Sequence, residues 1–330
     1  MGDIDIVIPW VDGGDPDWLK EKESYSEIKG DKRNVRYREW DVLKYWFRGV
    51  EKYAPWVRKI HFITWGHLPE WLNTDNEKLH IVNHKDYIPK EYLPTFNANT
   101  IELNIHKIEG LSEKFVYFND DFYFVNPTME KDFFVNGLPC DIAGLHPGYA
   151  TRSDVVFDHL LLNDAEFYVK HFDYKEVMKR DKKKWFKLSY GKELVKTLVM
   201  LLFSQFPDIA IHHQPQGFMK STFEDVWKKE LELLDSTCRN RFRTRNDVNQ
   251  YVFRYWQIGN SQYHPVNLFK RGQSVQIGHS PLDYNKLILN TKYKILVLND
   301  CGESVDFDEE KKNMQNAFEL KFPEKCSFEK

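Results

Sequence analysis

The chain has 330 residues, of which 42% are hydrophobic, 15% aromatic and 29% charged, a composition that excludes collagen-like, low-complexity and disordered proteins. Its 47 lysines and arginines nearly balance 50 aspartates and glutamates, so general nucleic-acid binding is not expected. Four scattered cysteines without a C-x-x-C pair argue against structural zinc and a disulfide framework. The N-terminus lacks signal-peptide features, and the longest apolar run, Leu194–Phe203, is too short to span a bilayer. These features predict a cytoplasmic globular protein without a transmembrane segment.

The first 125 residues alternate between strand and helix signals. Apolar residues at helical spacing predict helices at Asp41–Tyr53 and Asn97–Ile108. This alternation predicts an α/β fold with a largely parallel sheet, in which ligands bind beyond the carboxyl ends of the strands. The strands are predicted from short apolar runs at Ile4–Ile8, Lys59–Trp65, Leu79–Asn83 and Phe115–Phe118.

The remainder of the chain is mostly helical in pattern. A strand at Tyr293–Leu298 is followed by Asn299 and Asp300. Because no Pro/Gly/Ser-rich linker separates the halves, residues 1–140 are expected to form an α/β core. Residues 141–330 are then a packed, mostly helical half that completes the same catalytic unit. Helices are predicted at Phe157–Phe172, Glu193–Phe206, Thr222–Thr237 and Asp247–Tyr255.

Two adjacent carboxylates, Asp120 and Asp121, follow the strand Phe115–Phe118 directly. Such a concentration of negative charge predicts a divalent cation, because hard cations prefer carboxylate oxygens and Mg²⁺ bridges them to phosphates. The alternative is a solvated turn or a helix N-cap. Asp300, after the later strand, has the same two interpretations.

The first strand ends in Trp10, Val11 and Asp12. In a nucleotide site an aromatic or main-chain shelf can flank a base while a carboxylate accepts hydrogen bonds from base or ribose. The alternative is a core tryptophan beside a turn aspartate. The chain has neither G-x-G-x-x-G nor a P-loop motif, so neither of those nucleotide-binding sites is supported.

Further candidates lie in the second half. His212 and His213 fall in a predicted loop, where one could act as a general base or both could be structural. Four arginines alternate along the segment RNRFRTRND, so a strand there would place them on one face as phosphate ligands or as a solvated strip: Arg239, Arg241, Arg243 and Arg245. The basic segment Lys170–Lys187 could contact an anionic glycan or membrane surface, or form an exposed helix.

Four parts of the chain resemble, in order, the conserved blocks of the Stealth family of sugar-phosphate transferases. The first is IDIVIPWVDGGDPDW, and the second runs from RYREWDVLKYWF to LPTFNANTIELNIHKIEGLSEKFVYFNDDF. The third is HHQPQGFMKSTFEDVW with FRTRNDV, and the fourth is LVLND with NAFELKFPEKCSFE. The family includes bacterial capsular polysaccharide phosphotransferases and the catalytic part of the animal N-acetylglucosamine-1-phosphotransferase.

The resemblance implies that residues 1–140 form a GT-A-like, Rossmann-type core that binds a nucleotide sugar. It implies transfer of a hexose 1-phosphate from a UDP-hexose to a glycan hydroxyl, with a phosphodiester formed and UMP released. A lipid-linked acceptor would bring the protein to the inner face of the membrane. The alternatives are a metal-dependent GT-A glycosyltransferase that releases UDP and a non-catalytic glycan-binding protein.

The resemblance also implies roles for individual residues. Asp120, Asp121 and Asp300 would surround Mg²⁺ or Mn²⁺, and Arg243 would bind the β-phosphate. His213 would be the general base, with Asp121 as the alternative. The donor nucleotide would be bound by the first block and the start of the second: Trp10, Val11, Asp12, Arg36, Arg38 and Asp41.

Overall fold

The computed structural model describes residues 3–25, 27–28, 38–148, 156–278, 280–300 and 306–330, so Arg36 lies outside the described residues. The strands are β1 Ile4–Pro9, β2 Ile60–Thr64, β3 Leu79–Asn83, β4 Lys114–Tyr117, β5 Phe122–Phe124, β6 Phe134–Val135, β7 Leu138–Asp141, β8 Gln216–Met219, β9 His264–Pro265, β10 Gly272–Ile277 and β11 Ile295–Asp300. The helices are α1 Pro16–Ser24, α2 Leu43–Tyr53, α3 His84–Tyr87, α4 Ala98–Leu103, α5 Val156–His171, α6 Tyr174–Arg180, α7 Lys182–Trp185, α8 Lys192–Met200, α9 Lys220–Lys229, α10 Leu231–Cys238, α11 Tyr251–Gly259 and α12 Phe307–Lys321. Within these ranges, no helix combines the length and apolarity required to cross a bilayer.

The main sheet has the strand order β3-β2-β1-β4-β8. Its first four strands are parallel, and β8 is antiparallel to β4. A second sheet has the order β10-β11-β5, with β11 antiparallel to β5, and a small third sheet contains β6, β7 and β9. The predicted α/β class with a largely parallel sheet is confirmed. Strands from beyond residue 140 pair with strands from the first 140 residues in both larger sheets.

Hydrophobic clusters cover both faces of the main sheet. Along β1, Ile4, Ile6 and Ile8 face one cluster, while Val7 belongs to the other, as the two-residue period of a strand requires. The first cluster receives Trp46 and Phe47 from α2, both fully buried. Burying a side chain of this size stabilises the fold by about 2 kcal/mol. Buried on both faces, the sheet holds the ends of its strands in fixed positions.

The helices of the second half differ from the predicted ones in their bounds. The segment Thr222–Thr237 is two helices, because α9 ends at Lys229 and α10 begins at Leu231. Between them Glu230 is buried and accepts hydrogen bonds from Lys170 and His171. The segment Glu193–Phe206 is helical only as α8, and turns follow it.

Two further predicted helices are shortened by side chains that bond to the backbone. The helix predicted at Asn97–Ile108 ends as α4, and the Asn104 side chain donates to the Thr100 carbonyl at 2.8 Å. The helix predicted from Asp247 begins only at Tyr251. Residues before it form a loop that the Asp247 carboxylate organises.

Candidate active site

The strand order brings three separate segments to one edge of the main sheet. The parallel strands β1 and β4 end at this edge, so Asp12 and the trio 119–121 lie there. Because β8 is antiparallel to β4, with Gln216 opposite Tyr117, the residues that precede β8 arrive at the same edge, and His213 is among them. The edge therefore carries a carboxylate pair and an imidazole.

Asp120 and Asp121 form the acidic centre of this edge. Asp120 is exposed at this edge, and desolvation by the surrounding protein is the main cause that raises the pKa of its carboxyl group to about 7. The charges of Asp121 and Glu39 raise the pKa further. Oδ1 of Asp121 is buried and has no hydrogen-bond partner among the described residues. Both observations fit a pair of carboxylates arranged around a cation.

His213 faces Asp121 across a short gap. Its Nε2 lies 3.6 Å from Oδ2 of Asp121, too far for a hydrogen bond, and has no hydrogen-bond partner within the described part of the chain. The imidazole ring packs edge-on against Phe122, with ring centroids 5.2 Å apart. Its backbone has a φ of 33°, a value that a non-glycine residue adopts only where the surroundings enforce it. The structure thus brings together two of the predicted catalytic residues, each with an unsatisfied polar atom.

A buried polar network fixes the loop that carries His213. The Arg254 guanidinium is fully buried, pairs with Asp141 at 2.9 Å and donates to the Ala210 carbonyl at 2.9 Å. His212 is also buried, and its Nε2 lies 2.8 Å from Oε1 of Gln216. Burial holds the pKa of His212 well below its usual range, so it stays neutral. Of the two adjacent histidines, His212 is therefore structural and His213 faces the site.

The four arginines of the segment RNRFRTRND lie in a loop, not in a strand, so the strip on one face that a strand would give is not formed. Arg239 pairs with Asp235 at 2.7 Å, and Arg241 donates to the Pro94 carbonyl at 2.5 Å. Arg243 makes no hydrogen bond or ion pair with any described residue. Its charge lowers the pKa of the buried Glu102, which places the guanidinium near that carboxylate.

The Arg243 loop is held by a buried carboxylate and an aromatic contact. Asp247 accepts hydrogen bonds from Asn97 at 2.9 Å and from the backbone N–H of Thr244 at 3.0 Å. Phe242 stacks on Phe96 with ring centroids 5.3 Å apart. Val11 packs against the same aromatic cluster and lies in the loop between β1 and α1, residues 10–15, which we call the β1 loop. Through this cluster the β1 loop, which is predicted to bind the donor nucleotide, packs against the loop that carries Arg243.

Glu102, which sequence reasoning did not single out, lies near Arg243 and contacts Tyr117. Burial raises the pKa of its carboxyl group, and the charge of Arg243 opposes this shift. The Tyr117 hydroxyl lies 2.9 Å from Glu102 Oε1 and 2.6 Å from Asn119 Oδ1. The Tyr117 hydroxyl therefore links Glu102 to Asn119, the residue before the acidic pair. The spacing gave no signal for it, because Glu102 is not on the face of the predicted helix that carries Ile101, Ile105 and Ile108.

The β1 loop is built on contacts with the residues after β2 and before α2. The indole of Trp10 stacks on Phe62 at 5.6 Å and donates to Glu39 at 3.2 Å. The backbone N–H of Asp12 donates to Nε2 of His67 at 2.8 Å. Burial holds the pKa of His67 below its usual value, so the neutral ring can accept this bond. Trp10 is thus largely a core residue, while Asp12 lies at the open edge.

Asp300 is the last residue of β11, the strand that pairs with β5 just after the acidic pair. The N–H of Leu298 donates to the Asp121 carbonyl at 3.0 Å, which brings the end of β11 to this edge. Nε of Arg38 lies 3.1 Å from the Asp300 carboxylate, and the Trp40 indole donates to the same carboxylate at 3.1 Å. Arg38, which the sequence predicts to bind the donor nucleotide, is therefore in direct contact with Asp300.

Asp41 is the last of the residues predicted to bind the donor nucleotide. It is exposed just before α2, and its carboxylate pairs with Lys311 of α12. Its backbone N–H donates to Glu39 at 2.8 Å. These contacts tie the start of the second block to the C-terminal helix.

The described residues contain no group of three His, Cys, Asp or Glu side chains arranged to hold a metal ion. Asp300 is engaged by Arg38 and Trp40, and its role as a third ligand beside Asp120 and Asp121 stays a prediction. The unpartnered oxygen of Asp121 and the raised pKa of Asp120 nevertheless fit a hard cation at this pair.

Asp120→Asn is expected to stabilise the metal-free protein at alkaline pH. The folded pKa of about 7 lies above the ordinary value of 3.8. The charged form is therefore disfavoured by folding, and this penalty is present above pH 7 and disappears as the pH falls toward 4. Thermal unfolding in EDTA should show a higher Tm for the variant at pH 8 and a shrinking difference toward pH 5. Equal melting temperatures at pH 8 would contradict the raised pKa.

Comparisons with known proteins agree on one family. The description "Stealth protein CR1, conserved region 1" matches residues 2–30, and "Stealth protein CR2, conserved region 2" matches residues 36–140. The capsular polysaccharide phosphotransferase WcwK of Streptococcus pneumoniae is 42% identical over 335 residues, covering 100% of this chain and 99% of that protein. The receptor polysaccharide phosphotransferase WefC of Streptococcus gordonii is 39% identical, covering 99% and 98%. The exopolysaccharide phosphotransferase cps2G of Lactiplantibacillus plantarum is 38% identical, covering 99% and 96%.

Solved structures are more distant. The apo structure of the bifunctional glycosyltransferase WbbM has a TM-score of 0.40 and 12% identity, covering 95% of this chain and 50% of that chain. An active-site mutant of LgtC has a TM-score of 0.36 and 9% identity, covering 94% and 95%. The segments with His213, Arg243 and Asp300 lie beyond the two matched conserved regions but within the span of the full-length relatives. On the strength of those relatives and the two conserved regions, the chain belongs to the Stealth family.

Proposed function

We propose that the chain transfers a hexose 1-phosphate from a UDP-hexose to a hydroxyl of a glycan, in the synthesis of a capsular or other cell-surface polysaccharide. The observation that carries the proposal is the convergence of Asp120, Asp121 and His213 at one edge of the sheet. The names of the full-length relatives, all polysaccharide phosphotransferases, support the same class of reaction.

The donor binds along the carboxyl edge of the main sheet. The β1 loop, with Val11 and Asp12, accommodates the nucleoside, because ligands of parallel sheets occupy this edge. Arg243 binds the β-phosphate, since a guanidinium offers paired donors to phosphate oxygens and no described residue occupies those of Arg243. Negative charge that builds on the phosphoryl oxygens during the reaction is stabilised by this group.

The acceptor hydroxyl is activated beside His213 and Asp121. Nε2 and Oδ2 lie 3.6 Å apart, too close to admit an oxygen between them, so the hydroxyl approaches from the side, where it can contact both atoms. His213 removes the proton because an imidazole is a base at neutral pH. The Asp121 carboxylate orients the protonated ring. The hydroxyl oxygen then attacks the β-phosphorus, the bond to the UMP oxygen breaks, and the sugar keeps its phosphate.

Asp120 and Asp121 would hold a divalent cation, Mg²⁺ or Mn²⁺. When bound, such an ion offsets the charge of the donor diphosphate.

We place the reaction on the cytoplasmic side of the membrane, with a lipid-linked glycan as the acceptor.

Product analysis tests which bond breaks. Incubation with a panel of UDP-hexoses, Mn²⁺ and capsule fragments should release UMP, and the acceptor should gain the mass of a hexose phosphate. Both products are read by mass spectrometry. UDP as the main acceptor-dependent nucleotide, with gain of a hexose alone, would refute the phosphotransferase and identify a glycosyltransferase. The His213→Ala protein serves as the control for acceptor-independent hydrolysis.

A further inference from the structure

Helix α8 has its polar and apolar faces reversed relative to an ordinary surface helix. Glu193 and Thr197 are buried against the protein, and the Thr197 hydroxyl accepts the Leu145 N–H at 3.0 Å. The outward face carries Val195, Leu198 and Val199, all exposed. A surface helix normally turns its apolar stripe toward the core. The inverted pattern leaves the apolar face of α8 uncovered by the described part of the chain and available to another molecule.

The exposed apolar surface extends beyond α8 on both sides. Leu188, just before the helix, is 89% exposed, and Leu202, just after it, is 83% exposed. Phe203 is 57% exposed. Single exposed apolar side chains are ordinary, whereas a group of them in one short stretch of chain indicates an interaction surface. We call residues 188–203 the apolar surface.

Lysines accompany the apolar surface. Between residues 182 and 203 the chain has six lysines and a single carboxylate, Glu193, which is buried and pairs with Lys196. Lys182, Lys183 and Lys192 are exposed, and no described carboxylate pairs with them. The combination of exposed leucine, valine and phenylalanine side chains with unpaired lysines is typical of segments that lie in the interface of an anionic membrane.

We infer that the apolar surface, with Lys182, Lys183 and Lys192, docks the protein on an anionic phospholipid bilayer. The apolar side chains enter the boundary between headgroups and acyl chains while the lysines contact lipid phosphates. Charge favours this occupant over a second copy of the chain, because two such lysine-rich surfaces would repel each other. The inference rests on the proposed function and extends it, since the surface would hold the enzyme beside a lipid-anchored acceptor.

Vesicle binding tests the inference without donor, acceptor or turnover, so its failure is distinguishable from failure of the proposed transfer. The 330-residue protein is sedimented with vesicles of phosphatidylcholine alone and of phosphatidylcholine with phosphatidylglycerol. We expect binding to the anionic vesicles, weakened at least about ten-fold by Leu202→Ser with Phe203→Ser, and similarly by Lys182→Gln, Lys183→Gln and Lys192→Gln together. Added salt should weaken the wild-type binding.

Matched controls lie elsewhere on the surface. Leu231 and Leu320 are 59% and 68% exposed, on α10 and α12, and serine at both should leave vesicle binding within about two-fold of wild type. Glutamine at three other exposed lysines should do the same: Lys85, Lys131 and Lys228. Absence of binding, equal binding to both vesicle types, or equal losses in the control variants would overturn the inference. So would a wild-type dimer in sedimentation analysis that Leu202→Ser with Phe203→Ser dissociates, in a protein that does not bind vesicles.

Discussion

Replacing Arg243 by lysine is expected to slow sugar-phosphate transfer by at least about 100-fold while the fold stays intact. Lysine keeps the positive charge but loses the paired donors that match two phosphate oxygens. Two other arginines of the same segment already have partners, Asp235 for Arg239 and the Pro94 carbonyl for Arg241. The guanidinium of Arg243, by contrast, is not engaged by any described residue and lies near the buried Glu102.

The measurement is the rate of UMP formation at saturating donor and acceptor, with circular dichroism and Tm as checks on folding. Arg239→Lys is the matched control, because Arg239 forms an exposed ion pair with Asp235 of α10 and its variant should retain a rate within about two-fold of wild type. A wild-type rate in Arg243→Lys would mean that charge alone suffices and that no bidentate contact to phosphate is made.

Asp121→Asn is expected to reduce turnover about 1,000-fold. The change preserves the shape of the side chain but removes its charge, both from the proposed cation site and from the neighbourhood of His213, 3.6 Å away. Because Oδ1 of Asp121 is buried without a hydrogen-bond partner in the described chain, the loss of charge should also relieve an unfavourable burial in the metal-free protein. The variant should therefore fold at least as stably as the wild type.

A measurement of cation binding shows whether Asp121 binds the metal ion or acts only in catalysis. Mn²⁺ should raise the Tm of the wild type, because a ligand that binds only the folded state stabilises it, and should leave the Tm of Asp121→Asn unchanged. Asp75→Asn, an exposed turn residue, is the control and should respond as the wild type does. Full wild-type activity after treatment with EDTA would refute the cation, and an unchanged rate in Asp121→Asn would remove this residue from the site.

The local sequence pattern predicted those elements of the fold in which consecutive residues are all buried. Runs such as Ile4–Ile8 predicted the parallel strands, because burial on both faces requires an apolar residue at nearly every position. The same runs placed Asp12 and Asp120 after strand ends, where the topology of a parallel sheet collects ligands. Prediction was weaker for short strands such as Gln216–Met219, since so few residues carry no distinct period.

What the sequence determined by itself was therefore the α/β class, the strands of the main sheet and the carboxylates at their ends. Only the tertiary structure decided that His213 faces Asp121, because that contact depends on the antiparallel pairing of β8 with β4. It also separated Arg243 from its neighbouring arginines and revealed Glu102 beside it. The physical reason is that a periodicity reports which face of an element is buried. It does not report which distant segment supplies the partner of a buried polar group, and the partners of these site residues come from segments far apart in the chain.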